Sequence, residues 1–285
     1  MNLTPLRYPG GKSKTYSYIQ HVIKLNNCTH YIEPFAGGAG VAIALLLNND
    51  VNKISINDYD ISIYAFWFSV LNYTDELIEL INNTPITMEE WYKQKEIQLS
   101  KKQNTNNLLQ LGFSTLFLNR TNRSGILKAG VIGGKNQNGN YKMDCRFNKE
   151  KIIKLIINIA NKKSKIKLTN KDAESFIKEN ICKTKNSFTF FDPPYYNKGP
   201  ALYTNFYEHE NHLSLYNTIS KKMNRKVWIL TYDISETIES LYKDFNSLRY
   251  ILNYSITKPT KGQEFLIFSK NIVIGEVEKH LKIVF

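Results

Sequence analysis

The sequence has few cysteines, no long apolar run and a shortage of acidic residues, and each absence excludes a class of protein. Cys28, Cys145 and Cys182 are scattered without a CxxC pair, which argues against a zinc site or a disulfide framework. The longest purely apolar run, residues 41–47, is too short to cross a bilayer, and the opening MNLTPLRYPGGK lacks the apolar core of a signal peptide. We therefore expect a cytoplasmic protein without a metal site.

The charge balance is strongly basic. Lys and Arg number 38 against 25 Asp and Glu, which gives a net charge of +13. This excess favours a polyanionic partner, although a lysine-rich composition alone can produce it. The chain of 285 residues is 42% apolar, which suffices for one large domain or two smaller ones.

Short apolar segments alternate with helical patterns along most of the chain. Such alternation predicts an α/β fold with a doubly wound, mostly parallel sheet. In such a sheet ligands bind beyond the carboxyl ends of the strands, so we expect functional residues directly after them. The predicted strands are residues 30–35, 54–57, 165–169, 187–191, 227–230, 249–256 and 264–269.

The sequence Asp192-Pro193-Pro194-Tyr195 directly follows one predicted strand. An Asp carboxylate and a Pro carbonyl can both accept hydrogen bonds from one NH2 group, and an aromatic ring can stack on a planar base. Two acceptors on the N–H bonds of an aromatic amine would point its lone pair toward an electrophile. The motif predicts a pocket for a nucleobase amine; the alternative is a proline turn with a core tyrosine.

A glycine-rich turn, EPFAGGAG at residues 33–40, follows the first predicted strand. Its missing side chains allow a ligand close to the backbone and to a helix N-terminus. Asp58 ends the next strand, about twenty residues further on, the spacing at which an acid can hold a ribose diol. A helix N-cap is the alternative role for Asp58. Because the turn does not fit the full GxGxxG pattern of dinucleotide enzymes, S-adenosylmethionine is the better candidate ligand.

Together these residues resemble the Dam-type (D12 class) family of DNA N6-adenine methyltransferases over most of the chain. The segment Arg7-Tyr8-Pro9-Gly10-Gly11-Lys12 is similar to the amino-terminal cofactor motif of that family. The resemblance implies a Rossmann-like class I methyltransferase fold with a seven-stranded sheet, S-adenosyl-L-methionine as methyl donor and S-adenosyl-L-homocysteine as product. It implies Asp192, Pro193, Pro194 and Tyr195 as catalytic residues, with Tyr195 stacked on the target adenine. The implied cofactor-binding residues are Tyr8, Gly10, Gly11, Lys12, Glu33, Pro34, Phe35, Gly37, Gly38, Gly40, Asp58, Asp172, Ala173 and Asp192.

Two segments match the family less completely. Asp172-Ala173 resembles the Asp-aromatic pair that reads the adenine of the cofactor, but Ala173 replaces the aromatic residue, and a helix-opening Asp is the alternative. Residues 203–206 and His212 resemble the segment that closes over the flipped base. We assign His212 no catalytic role, because packing on a helix surface explains it equally well.

Residues 72–164 change composition to Lys- and Asn-rich helices followed by an irregular basic stretch. By the resemblance this is a mainly helical target-recognition domain, inserted into a catalytic domain of residues 1–71 and 165–285. We predict a loop at residues 118–125 and a β-hairpin at residues 126–147, with turns at Gly133-Gly134 and Asn138-Gly139. For each lysine here a solvated loop is the alternative. The predicted DNA contacts are Arg120, Asn122, Arg123, Ser124, Lys135, Tyr141, Lys142 and Arg146.

The expected activity is site-specific methyl transfer to N6 of a flipped-out adenine in duplex DNA. The alternatives are methylation of RNA adenine or of a protein glutamine, and a non-catalytic nucleic-acid-binding module with the same fold. Duplex DNA is the expected partner, with a restriction endonuclease of the same system as a further candidate. We expect a monomer in the prokaryotic cytoplasm or in a virus-infected cell.

Overall fold

The chain divides into two compact units. The first comprises residues 1–11 and 60–164, and the second comprises residues 12–59 and 165–285. The first unit thus includes residues 1–11 and resumes at residue 60, while the sequence predicts a domain boundary at residue 71. The division into a recognition domain and a catalytic domain stays a prediction. The computed structural model describes residues 3–7, 12–101, 106–197, 207–255 and 259–284.

One mixed sheet of eight strands organises the second unit, in the order β3-β2-β1-β4-β5-β7-β6-β8. The first five of these strands pair in parallel, and the remaining pairs are antiparallel. All residues of the central β4 are buried, as expected for a strand covered on both faces. The strands are β1 (His30–Glu33), β2 (Lys53–Asn57), β3 (Ile166–Thr169), β4 (Ser187–Phe191), β5 (Val227–Asp233), β6 (Ser247–Ser255), β7 (Pro259–Phe268) and β8 (Ile283–Val284).

The helices of the second unit cover this sheet. Helix α2 contains no charged residue because nearly all of its side chains are buried. On helix α9, Leu215 and Ile219 pack into a core with Phe191, Trp228 and Phe265 of the sheet. The helices of the chain are α1 (Tyr16–Leu25), α2 (Gly40–Leu47), α3 (Ile61–Asn72), α4 (Thr74–Asn83), α5 (Met88–Leu99), α6 (Leu108–Thr121), α7 (Lys149–Ala160), α8 (Ala173–Phe176), α9 (His209–Lys222) and α10 (Glu236–Leu241).

The first unit is helical, and α3 and α6 pack closely at its centre. A Cβ atom at Gly112 of α6 would lie 2.5 Å from the Ala65 carbonyl oxygen of α3, so only glycine allows this approach. At the end of α6, Asn119 accepts a hydrogen bond from the Arg7 backbone N–H and donates one to the Arg7 carbonyl, both at 2.7 Å. These two bonds fix the amino-terminal segment to the first unit.

Three sequence predictions need correction. The sheet has eight strands rather than seven, because β8 adds a short antiparallel strand beside β6. Residues 118–121 form the last turn of α6, so the predicted loop begins only at Asn122. The predicted β-hairpin at residues 126–147 is wrong. That segment consists of turns and the 3-10 helix Met143–Arg146, and its only β pairing is an isolated bridge between Val131 and Asn122.

The glycines of this segment serve a different turn. Gly133 and Gly134 have φ of 86° and 77°, and the Gly139 N–H donates to the Gly133 carbonyl at 3.1 Å. The Gln137 side chain donates to the Ile132 and Gly134 carbonyls, each at 2.7 Å. These bonds close a compact loop and take the backbone groups that a hairpin ladder would use.

Within the ranges that the structure describes, no helix combines the length and the apolar character needed to span a membrane.

Candidate active site

Acidic side chains cluster at one edge of the sheet. Because β1 to β5 are parallel, their carboxyl ends meet at that edge, and adjacent strands lie about 4.8 Å apart. Such an edge is where ligands bind in doubly wound folds. The acidic residues that end or follow these strands are Glu33, Asp58, Asp172, Asp192 and Asp233.

The glycine turn after β1 is held by the acid after β2. Asp58 Oδ2 accepts a hydrogen bond from the Gly37 backbone N–H at 2.8 Å. Gly37 and Ala39 both have φ of 46°, which brings the chain sharply round into α2 at Gly40. Asp58 is not the N-cap of α3, since Asp60 has that role and accepts from the helix backbone at 2.9 Å. Asp58 is therefore placed beside a backbone turn, as a ribose-binding acid would be.

Glu33, Pro34 and Phe35 lead into this turn. Glu33 is 6% exposed and accepts a hydrogen bond from the Tyr31 hydroxyl at 2.7 Å. Burial raises the pKa of Glu33 to about 8, with a further rise from Asp192 and an opposing effect of the Tyr31 hydrogen bond. The Pro34 carbonyl accepts from the Asn57 side chain at 3.0 Å. Burial thus favours the neutral form of Glu33, which can donate a hydrogen bond.

Asp172 and Ala173 lie at the start of α8. Asp172 Oδ1 accepts from the Ser175 backbone N–H at 2.9 Å, so the residue is the N-cap of that helix. Burial would raise the pKa of Asp172, but the hydrogen bonds from Ser175 outweigh it and lower the pKa overall. Ala173 is 3% exposed and packs in the core. The helix-capping alternative therefore describes Asp172, and its contact with the cofactor stays a prediction.

Asp192 is anchored through one carboxylate oxygen. Oδ1 accepts from the Thr231 hydroxyl at 2.7 Å and lies 2.8 Å from Lys12 Nζ. Among the described residues, neither Asp192 Oδ2 nor the Pro193 carbonyl has a hydrogen-bond partner. Burial raises the pKa of Asp192, Lys12 partly offsets that rise, and the charge of Glu264 adds to it. The site thus keeps two adjacent acceptors available.

Glu264 on β7, which the sequence analysis did not single out, joins Lys12 to Tyr195. Its side chain is fully buried. It accepts hydrogen bonds from the hydroxyls of Tyr195 and Tyr250, the latter at 2.6 Å, and its Oε2 lies 3.5 Å from Lys12 Nζ. Lys12 Nζ also donates to the Tyr195 hydroxyl at 3.0 Å. One ammonium is therefore shared by two carboxylates and a phenol.

The ring of Tyr195 is buried in this arrangement. It is 1% exposed and offers no open face to a base. The stacking role that the sequence predicts for Tyr195 stays a prediction, and it requires the ring to be uncovered.

Asp233 fixes the backbone that follows the Pro-Pro-Tyr segment. Its Oδ1 accepts from the Tyr196 N–H at 2.8 Å and its Oδ2 from the Asn197 N–H at 3.0 Å. The predicted strand 227–230 ended too early to reveal this residue, because β5 continues to Asp233. Asp233 and Glu264 therefore hold the Pro-Pro-Tyr segment and the residues after it in place by accepting hydrogen bonds from them.

His212 is buried among aromatic rings and does not lie on a helix surface as expected. Its Nδ1 is 2.8 Å from the Tyr232 hydroxyl, and the rings of Tyr196 and Tyr207 lie 5.0 and 5.3 Å away between centroids. Burial lowers the pKa of His212 to about 4, with a smaller effect from His209. His212 is therefore neutral at physiological pH.

Several predicted residues lie outside the described part of the chain. They are Tyr8, Gly10 and Gly11 of the amino-terminal motif and residues 203–206 of the segment after the catalytic motif.

Two of the predicted DNA contacts in the first unit are engaged internally. Asn122 is buried, accepts from Trp91 Nε1 at 2.7 Å and donates to the carbonyls of Ile126 and Leu127. Arg120 donates to backbone carbonyls of Pro5 and Arg146, and burial lowers its pKa to about 10, with the charge of Arg7 adding to the effect. Asn122 holds the turn after α6, so we leave it out of the proposed DNA-binding set.

The other predicted contacts are accessible. Ser124 is half-buried at φ of 56°, inside the 3-10 turn Arg123–Gly125. The exposed side chains of this region that the sequence predicts to bind DNA are Arg123, Lys135, Tyr141, Lys142 and Arg146.

The fold and the site define a class of protein. A doubly wound sheet with an acid-braced glycine turn beside an open Asp-Pro acceptor pair is the arrangement of a Rossmann-like methyltransferase that acts on an amine. The chain belongs to the D12 class N6 adenine-specific DNA methyltransferase family, whose model matches residues 8–256. The protein is therefore an adenine-specific DNA methyltransferase.

The chain is also similar to individual proteins, one found by sequence and one by structure. The Type II methyltransferase M.MjaIII of Methanocaldococcus jannaschii is 27% identical over 204 residues, which cover 67% of this chain and 68% of that protein. Among solved structures, the rRNA methyltransferase aviRa from Streptomyces viridochromogenes matches 85% of this chain and 76% of its own, with 8% identity and a TM-score of 0.33.

Proposed function

We propose that the cluster at the carboxyl edge of the sheet is the methyl-transfer site, with Asp192 and the Pro193 carbonyl as the two acceptors for adenine N6. The observation that carries this proposal is the asymmetry of Asp192. Lys12 and Thr231 fix Oδ1 at 2.8 and 2.7 Å, while Oδ2 remains available beside the Pro193 carbonyl. An amine with two N–H bonds needs two such acceptors. Preorganised acceptors need no rearrangement at the moment of reaction.

The residues around the glycine turn fit S-adenosylmethionine. Asp58 supports the Gly37 backbone at the carboxyl edge, where a ribose hydroxyl could reach its carboxylate. Two carboxyl groups, of Asp192 and Glu264, share the single ammonium of Lys12, an arrangement that suits a cationic ligand nearby. When bound, S-adenosylmethionine supplies the methyl group from its sulfonium and leaves as S-adenosylhomocysteine.

The roles of the protein groups in transfer follow from their contacts. Asp192 Oδ2 and the Pro193 carbonyl accept the two N6 hydrogens and turn the nitrogen lone pair toward the methyl group. Lys12 holds Asp192 in its ionised form, because an adjacent ammonium stabilises a carboxylate. After transfer the cationic nitrogen loses a proton. A stacked adenine cannot enter this pocket, so the target base is flipped out of the duplex.

The first unit is proposed as the DNA-recognition domain and the second as the catalytic domain. The support is the accessible basic and aromatic set Arg123, Lys135, Tyr141, Lys142 and Arg146. Such side chains bind phosphates and base edges. The net charge of +13 suits the same partner.

The biological setting is also a proposal. The Type II relative suggests a restriction-modification system, with a restriction endonuclease that cuts the same site. A monomer in the prokaryotic cytoplasm or in a virus-infected cell suits an enzyme that acts on accessible genomic DNA.

A direct assay tests the proposed reaction. The protein is incubated with methyl-labelled S-adenosylmethionine and duplex DNA, single-stranded RNA or a mixed protein extract, and the products are digested to nucleosides or amino acids. We expect label in N6-methyl-2′-deoxyadenosine from DNA, and none in N6-methyladenosine from RNA or in glutamine. Label in RNA or in glutamine without label in DNA would overturn the proposal. Sequencing of the methylated positions then gives the recognition site.

A further inference from the structure

Glu264 is a fully buried acid with three donors around it. Two strand pairings place it: β6 sets Tyr250 opposite it, and β5 sets Asp233 opposite it on the other side. Its Oε1 accepts from Tyr195, and its Oε2 accepts from Tyr250 at 2.6 Å and lies 3.5 Å from Lys12 Nζ. A buried carboxylate without such partners would be strongly unfavourable, so this position is built to keep a charge.

The shared ammonium links Glu264 to the reacting end of the site. Lys12 Nζ lies 2.8 Å from Asp192 Oδ1, donates to the Tyr195 hydroxyl at 3.0 Å and is 3.5 Å from Glu264. Glu264 contacts Lys12 and the Tyr195 hydroxyl, and Lys12 in turn contacts Asp192 Oδ1. Glu264 is therefore linked to the proposed amine acceptor through Lys12.

We propose that Glu264 is a positioning residue for methyl transfer, which holds Lys12 and the Tyr195 hydroxyl so that only one oxygen of Asp192 is occupied. Without the Glu264 charge, Lys12 loses one of its carboxylate partners and can shift to cover both oxygens of Asp192. Asp192 Oδ2 is then covered by Lys12 in a fraction of the molecules and cannot accept a hydrogen bond from the amine. This inference rests on the proposed function of Asp192.

The charge of Glu264 also contributes to the raised pKa of Asp192. Like charges close together favour protonation, and removal of one lowers the pKa of the other. Transfer requires ionised Asp192, so loss of the Glu264 charge should extend activity to lower pH. The charged and titratable groups that face Asp192 or Glu264 are Lys12, Tyr31, Glu33, Tyr195, Tyr232, Asp233 and Tyr250.

The test is Glu264→Gln in the full chain, with kcat and KM measured from acid to neutral pH. We expect kcat on the plateau to fall by about 10- to 100-fold, the loss typical of a small misplacement. We also expect KM for DNA to be unchanged and the acid limb to move to lower pH. Glu239→Gln is the matched control, because it removes the same charge from an exposed pair with Arg249. An acid limb that coincides with that of wild type and of the control would overturn the proposal, whatever the value of kcat.

A second variant removes only the Tyr195 hydroxyl, which is hydrogen-bonded to both Lys12 and Glu264. Tyr195→Phe keeps every charge and deletes the hydroxyl between Lys12 and Glu264. It should lower kcat by itself, and the double variant with Glu264→Gln should be no worse than the more impaired single variant, since both break one unit. Independent, multiplicative losses would overturn the proposal. Tyr195→Phe alone, which keeps every charge, tests the same link if Glu264→Gln folds poorly, and an unchanged kcat in that variant would also overturn the proposal.

A titration without substrates separates this inference from the proposed function. NMR of ¹³C-labelled Asp carboxyls, assigned with Asp192→Ala, reads the titration of Asp192 in wild type and in Glu264→Gln without cofactor or DNA. A downward shift in the variant supports the Glu264 link, and no shift overturns it. A wild-type protein that transfers no methyl group to DNA overturns the proposed function instead.

Discussion

Replacement of Lys12 by Met should destabilise the second unit and should do so in a pH-dependent manner. Lys12 has a 4% exposed side chain, and its Nζ lies 2.8 Å from Asp192 and 3.5 Å from Glu264. Met keeps the length and apolar stem but leaves two carboxylates without their cation. Removal of one partner from a buried ion pair costs about 3–5 kcal/mol. The partial exposure of Asp192 places this case near the lower end of that range.

The sign of the pH dependence follows from Asp192. Lys12 lowers the pKa of this buried carboxyl, so loss of Lys12 raises the folded-state pKa of Asp192 further and the folded state takes up a proton more readily. The deficit of Lys12→Met should therefore be largest at neutral pH and should shrink as the pH falls through that raised pKa. Hydrogen exchange of peptides from β4 and β5 in urea, at neutral pH and at an acidic pH, reports on the second unit alone.

A matched surface variant provides the control. Lys178→Met breaks the exposed pair with Glu174, at 3.8 Å, and should change stability by less than about 1 kcal/mol at either pH. A Lys12→Met deficit as small as this, or one that does not depend on pH, would refute the conclusion that a buried ammonium is shared by two ionised carboxylates.

Three further changes test other parts of the structure. Asp58→Ala should weaken S-adenosylmethionine binding by about 10- to 100-fold, because a hydrogen bond to a charged group contributes about 1.5–3 kcal/mol; calorimetry showing a change under about twofold would contradict its proposed role. Gly112→Ala should destabilise the first unit by about 1–3 kcal/mol through overpacking against α3, whereas an increase in stability, usual for Ala over Gly in a helix, would count against that packing. Arg123→Ala should weaken DNA binding and flatten its salt dependence without loss of stability, while Arg120→Ala should lower stability through its lost carbonyl contacts. A titration of DNA binding at several salt concentrations, combined with urea unfolding, distinguishes these two arginines, and the reverse pattern would be inconsistent with the structure.

The features that the sequence predicts well are local ones. The parallel strands follow from short apolar segments, and the residues just after them, such as Asp58 and Asp192, must then share an edge of the sheet. The family membership rests on the same segments, since the family model matches residues 8–256.

The residues that hold the catalytic motif in place cannot be predicted from local sequence patterns, because they contact it from distant positions in the chain. Glu264 reaches Tyr195 across 69 positions of sequence, and Asp233 reaches Tyr196 across 37. Only the antiparallel register of β7 on β5 and β6 puts Glu264 at that point. The hairpin prediction failed although its local signal was correct, since the chain does turn at the predicted glycines. Hydrogen bonds from the Gln137 side chain to the Ile132 and Gly134 carbonyls close a loop there instead of a hairpin.

The most direct test of the central claim is the transfer activity of Asp192→Ala. This variant leaves Lys12 paired with Glu264, so the fold should be retained, while the carboxylate acceptor for the amine is removed. Methyl transfer to duplex DNA is measured together with S-adenosylmethionine affinity. We expect kcat at saturating S-adenosylmethionine to fall by at least about 100-fold, as when a single preorganised group is lost from an active site, whatever the change in cofactor affinity. Wild-type rates of adenine methylation by Asp192→Ala would contradict this expectation.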